Sequence, residues 1–198
     1  MEVIFLLDTS KSMDGERIAQ LNHVMLEILT GLEEAWEKTS EVVNVRVINF
    51  DNVAKFFIGK ATESVRIDIA CESWKNLISK GATDTAHAVR LCKKSIENDY
   101  LNNNYDKTIV FLITDGESSD RDDLNDAIKE MKQILQKIDK KSMFFVSIGV
   151  YDYCKQEIEL FANLNKSCKQ LFANDNKSVY TADNIYDLSQ IVRGVLNS

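Results

Sequence analysis

The sequence predicts an α/β fold: a doubly wound, mostly parallel six-stranded sheet flanked by helices, with one antiparallel edge strand. Three observations predict it. The apolar runs 3–7 (VIFLL), 109–113 (IVFLI) and 143–150 (MFFVSIGV) are β-branched or aromatic and too short for independent helices, the pattern of strands buried on both faces of a parallel sheet. Stretches of helical periodicity separate them, as parallel connections require. The composition, 44% hydrophobic and 28% charged, is that of a packed domain and excludes collagen-like and highly charged disordered chains.

Each element follows in chain order. Residues 3–7 form the first strand and run straight into Asp8. Over 16–37 the apolar positions Ile18, Leu21, Met25, Ile28, Leu29, Leu32 and Trp36 recur every three or four residues, an amphipathic helix. In 42–50, Val43, Val45 and Val47 share one face and Asn44 and Arg46 the other, which suits a strand near a sheet edge; Asp51-Asn52 then turns into a hairpin partner at 53–58. Weaker helical patterns fit 63–70, 85–98 and 154–164, with Thr85 expected as the N-cap of the second. Residues 107–114 and 143–150 are central strands, and 122–138 between them carries the stripe Leu124, Ala127, Ile128, Met131, Ile134, Leu135 and Ile138. Residues 171–173 are expected as a last short strand, before the stripe Ile185, Leu188, Ile191, Val192, Val195 and Leu196. No repeat or linker interrupts the order, so residues 1–198 are read as one domain.

Charge and cysteine usage bound the function. The 24 Lys and Arg against 31 Asp and Glu leave a net charge of −7, which argues against a nucleic-acid binder. Residues 115–126 hold six of the acids against Arg121 alone, and Asp120–Asp126 reads as a solvated loop and first helical turn. The four cysteines lie at spacings that suggest neither a zinc site nor a disulfide framework, and no apolar run is long enough to span a membrane. Trp36 and Trp74 are expected to pack, with Trp74 beside Lys75 as candidate partner surface. The chain has only seven glycines and no proline, yet Gly15, Gly81 and Gly116 all fall in the segments that carry the candidate site.

In doubly wound sheets, ligands bind beyond the carboxyl ends of the strands. The first strand ends Asp8-Thr9-Ser10-Lys11-Ser12 and a central one ends Thr114-Asp115-Gly116. Alternation turns Asp8, Ser10 and Ser12 to one side and Lys11 to the other. Carboxylates and hydroxyls without nitrogen or sulfur suit a hard divalent cation such as Mg²⁺. Taken singly, D-x-S-x-S and T-D-G are ordinary cap and turn chemistry.

Together, Asp8-Thr9-Ser10-Lys11-Ser12-Met13, Gly81-Ala82-Thr83-Asp84-Thr85 and Phe111-Leu112-Ile113-Thr114-Asp115-Gly116 resemble the three segments of the metal-ion-dependent adhesion site of von Willebrand factor A domains. The resemblance covers essentially the whole chain. It implies that Asp8, Ser10, Ser12, Thr83 and Asp115 hold the metal, Mg²⁺ with Mn²⁺ or Ca²⁺ as substitutes, and that a partner protein's Asp or Glu fills the open position. Within the family, L-L-D-T-S-K-S-M-D-G-E-R-I, V-I-N-F-D and T-D-G-x-x-S-D are similar to the bacterial TerY-like tellurite-resistance group. That similarity implies a cytoplasmic adaptor or scaffold in a stress response, with a kinase or phosphatase among its partners, no nucleic acid and no membrane. Lys11 stands where the family usually has Gly, Ala82 where a second Gly is usual, and Ser118 and Ser119 where Pro is frequent.

Two other readings compete with a metal-dependent binding module. One is a structural A domain with a vestigial site. The other is a Mg²⁺-dependent phosphatase or hydrolase, disfavoured because Ser10 replaces the second acid of a D-x-D motif. No phosphate-binding glycine motif is present. His23 and His87 are expected on solvated helix faces and build no Ser/His/Asp triad, so the chain is read as no enzyme.

Overall fold

The computed structural model describes residues 1–39, 41–102, 107–138, 142–151, 153–168, 178–182 and 187–196. The strands are β1 (Glu2–Asp8), β2 (Asn44–Phe50), β3 (Ala54–Ile58), β4 (Val65–Arg66), β5 (Lys107–Thr114), β6 (Ser142–Val150) and β7 (Val179–Ala182). The helices are α1 (Glu16–Thr39), α2 (Ile67–Ser73), α3 (Thr85–Asn102), α4 (Arg121–Lys137), α5 (Lys155–Ala162) and α6 (Asp187–Leu196). One sheet runs in the order β3-β2-β1-β5-β6-β7. Its β2-β1, β1-β5, β5-β6 and β6-β7 pairs are parallel and β3 is antiparallel to β2, as the hairpin predicts.

Strand periodicity divides the core in two. Val3, Phe5 and Leu7 of β1 join Ile109, Phe111 and Ile113 of β5 under α1, α2 and α6; Ile4 and Leu6 join Val110 and Leu112 under α3 and α4. Phe5 stacks on Phe111 with ring centroids 5.3 Å apart. Each such buried side chain contributes about 1.5–3 kcal/mol of transfer free energy, and losing either helical layer would bare one face of every central strand.

The structure adds to these expectations and corrects some of them. The sheet has a seventh strand: β3 pairs with β2 over Val47–Phe50, across a bulge between Val47 and Ile48, and the two-residue β4 pairs antiparallel with Asn44 and Val45. The 63–70 segment therefore starts extended and turns helical only at Ile67. Arg46 does not lie on a solvent face. Helix α3 packs over β2, and the Arg46 side chain is fully buried. The last strand of the described residues is β7, whereas 171–173, where it was expected, lies outside them. Trp74 packs as expected, half-buried and meeting Phe57 edge-on at 5.2 Å. All four cysteines are free, and no described helix is long and apolar enough to cross a membrane.

Candidate metal centre

The chain leaves β1 toward β2 on one side, while β5 continues to β6 on the other, so the strand order reverses between β1 and β5. A crevice opens at the carboxyl ends of such a pair. Asp8 is the last residue of β1, and Asp115 directly follows β5.

Three loops close over this point and are stitched by backbone. After β1, Ser10 precedes a short 3-10 turn at Lys11–Met13, so Ser12 reaches the same side as Ser10 by winding rather than by extended alternation. The Lys11 N–H donates to Gly81 O at 2.9 Å and the Lys80 N–H to Thr9 O at 2.8 Å, which ties the first loop to the second. Thr83 and Ser119 exchange bonds, Ser119 N–H to Thr83 O at 2.8 Å and Thr83 N–H to Ser119 Oγ at 3.1 Å, tying the second to the third. Gly81 sits at φ +69°, where a Cβ would lie 2.7 Å from the Asn52 side chain. That close approach lets Asn52 Oδ1 accept the Ala82 N–H at 2.6 Å.

Asp8 is completely buried. Its Oδ1 accepts the Ser10 N–H at 2.8 Å and its Oδ2 the Thr114 hydroxyl at 2.6 Å. Among the described residues no basic side chain pairs with it, and burial pushes its carboxyl up to about 6, against the pull of Thr114 and Ser10. Asp115 accepts the Ser12 hydroxyl at 2.7 Å, and Ser10 Oγ lies 2.9 Å from Ser12 Oγ. Ser12 thus commits its one proton to Asp115, so Ser10 is the donor to Ser12 and one Ser12 lone pair remains for another ligand. The space beside Gly116 is bounded by all three loops: a Cβ there would stand 3.5 Å from Thr83 Oγ1, 3.7 Å from Ser12 Oγ and 3.8 Å from Asp8 Oδ2. All five residues anticipated from the sequence therefore meet, in an oxygen-only donor set that fits a hard divalent cation.

Other neighbours were not anticipated. Arg17, in the first turn of α1, donates to Asp115 Oδ2 at 2.7 Å and lies 4.3 Å over the Tyr151 ring. The one sequence signal was a basic residue at a helix start, against the macrodipole. Glu157 of α5 accepts the Ser118 N–H with both oxygens at 3.0 Å, supporting the third loop; burial raises its pKa. The N-cap of α3 is Asp84, which accepts the His87 N–H at 2.9 Å, one residue before the expected Thr85. The acidic run is a largely exposed loop and first helical turn, as expected. Asp120 caps α4, and Asp123 is gripped by Arg90 at 2.7 and 2.8 Å.

A doubly wound sheet with this cluster at its strand reversal defines a class of α/β ligand-binding domains. The model of the von Willebrand factor type A domain family matches residues 3–118, and the chain belongs to that family. It is 26% identical over 186 residues to the mouse collagen alpha-4(VI) chain, a match that covers 91% of this chain and 7% of the relative. The fold resembles a von Willebrand factor type A structure from Catenulispora acidiphila (TM-score 0.68, 16% identity, 98% of this chain and 41% of the other). It also resembles proximal thread matrix protein 1 from the mussel byssus, with a zinc-occupied metal-ion-dependent adhesion site (TM-score 0.61, 20% identity, 98% and 44%). The chain thus spans well under two thirds of the length of each of these proteins.

Proposed function

We propose that this chain acts as one domain that binds a protein partner through a divalent cation, Mg²⁺ first and Mn²⁺ or Ca²⁺ as substitutes. Asp8, Ser10, Ser12, Thr83 and Asp115 are its holders. The observation that carries the reading is a fully buried carboxylate, Asp8, met only by neutral donors while three hydroxyls and a second carboxylate converge beside it. A cation bound there supplies an open position of high residual charge for an outside carboxylate. Ser10, Ser12 and Thr83 offer neutral oxygens and leave that charge largely unspent. Asp8 and Asp115 fix the hydroxyls in place.

The reading is of a binding protein and not an enzyme. His87 Nδ1 accepts the Ala54 N–H at 3.1 Å, and His23 pairs with Glu27 on an exposed helix face, so both imidazoles are engaged in local structure. The finer reading, a cytoplasmic TerY-like adaptor for a kinase or phosphatase in a stress response, rests on the sequence segments given above. Four free thiols suit a reducing compartment.

The test is thermal melting against Mg²⁺. A cation that binds only the folded chain stabilises it by about 2.7 kcal/mol at a hundred times its Kd, so Tm should climb through the millimolar range and the rise should vanish in Asp8→Ala and Ser10→Ala. A flat Tm in the unmutated chain overturns the proposal.

A further inference from the structure

Arg17 breaks a local rule. It places a positive charge in the first turn of α1, where the macrodipole is itself positive. Its partner breaks another: Tyr151, at φ +54°, is the one residue other than glycine at positive φ among the described residues, a conformation that L side chains with a large Cβ substituent avoid. The two departures meet. The left-handed turn after β6 brings the Tyr151 ring under the guanidinium at 4.3 Å, and the Tyr151 hydroxyl donates to Gln20 Oε1 at 2.7 Å, one helical turn beyond Arg17. The guanidinium also donates to Ser12 O at 3.3 Å and to Asp115 Oδ2 at 2.7 Å. Unfavourable local choices that converge on one contact mark a site at which function overrides local preference.

We infer that Arg17, steadied by Tyr151, is a protein-derived cation that competes with the divalent ion for Asp115 and so sets the metal concentration at which the site loads. This rests on the metal-binding reading above. Asp115 Oδ1 is held by Ser12, and Oδ2 is the oxygen that Arg17 takes. A second cation near that carboxylate meets the repulsion of the first in a poorly solvated setting. The Arg17 side chain is 34% exposed, and its outer side faces an open hollow of about 460 Å³ lined by Asp14, Glu16, Gln20 and Tyr151. The guanidinium therefore has room, and the Asp14 and Glu16 carboxylates for company, when it gives Asp115 up. Linkage makes the effect reciprocal: whatever Arg17 subtracts from ion affinity, the ion subtracts from the Arg17–Asp115 pair.

The experiment compares Mg²⁺ affinity by calorimetry, and the Mg²⁺-induced rise in Tm, in the unmutated chain, Arg17→Gln, Arg17→Lys and Asp8→Ala. Arg17→Gln should bind Mg²⁺ about tenfold more tightly or better, with Arg17→Lys in between. Its metal-free Tm should be the same or lower while its Mg²⁺-induced rise is larger, a split that a purely structural role would not produce. Binding by Arg17→Gln alone supports the inference in its strongest form. Equal or weaker affinity in Arg17→Gln overturns it while leaving the site reading intact. Absence of binding in both overturns the site reading and the clamp together.

Discussion

Strand β1 carries a buried carboxylate at each end, and the two ends are treated oppositely. At its start, Glu2 meets the Arg46 guanidinium, which also grips Asp99 at 2.6 and 3.0 Å and donates from Nε to Lys60 O at 2.8 Å. At its finish, roughly 20 Å away at about 3.3 Å per residue, Asp8 meets hydroxyl and amide donors alone among the described residues. Both groups are fully buried. The Glu2 end carries a guanidinium within the fold, shared between two carboxylates. The Asp8 end has no basic partner among the described residues, and under the function proposed above a bound cation would supply the counter-charge; the two ends would then separate structural from functional burial of charge.

The sharpest way to break the comparison is at Arg46. Arg46→Met strands Glu2 and Asp99 and should cost about 3–5 kcal/mol in urea unfolding, independent of Mg²⁺. A loss under about 1 kcal/mol would mean that the network is not structural. An intermediate effect is expected from pH. Burial raises the Glu2 pKa well above the ordinary 4.5, with Arg46 opposing. The folded state then holds its proton longer than the unfolded state, so the stability Glu2 contributes is full below about 4.5 and lost as pH rises from there through the folded value. Urea midpoints against pH should fall over that window in the unmutated chain relative to Glu2→Gln, with a ceiling of about 1.4 kcal/mol per pH unit. Parallel profiles would contradict the assignment. The smallest effect belongs to the other end. Asp8→Asn in EDTA removes a buried charge that no basic side chain among the described residues pairs with and should cost under about 1 kcal/mol or raise stability, yet it should erase the response to Mg²⁺. A loss as large as that of Arg46→Met would erase the distinction between the two ends.

What the sequence makes legible divides along the same line. The central strands, the hairpin and four of the five oxygen-bearing residues follow from patterns a few residues long, because Asp8, Ser10 and Ser12 share one loop and Asp115 punctuates the end of a strand; Thr83 is legible only through the family resemblance of its segment. The Arg46 network does not. Period-two alternation assigns Arg46 to a face of β2 but says nothing of what covers that face, and Asp99 is 53 residues away on α3. Arg17 is hidden for the same reason, since its partner Asp115 is 98 residues distant. The N-cap of α3 is displaced by one residue because Asp84 and Thr85 are both competent caps and only the backbone path chooses Asp84.

The Thr114–Asp8 bond joins residues 106 positions apart. During synthesis the first loop emerges long before its closing strand, and loop closure of that length precedes any complete set of oxygens. An ion bound at the proposed site would therefore have little to grip in the nascent chain and would act only once β5 has docked against β1: as a late latch it should slow unfolding more than it hastens folding.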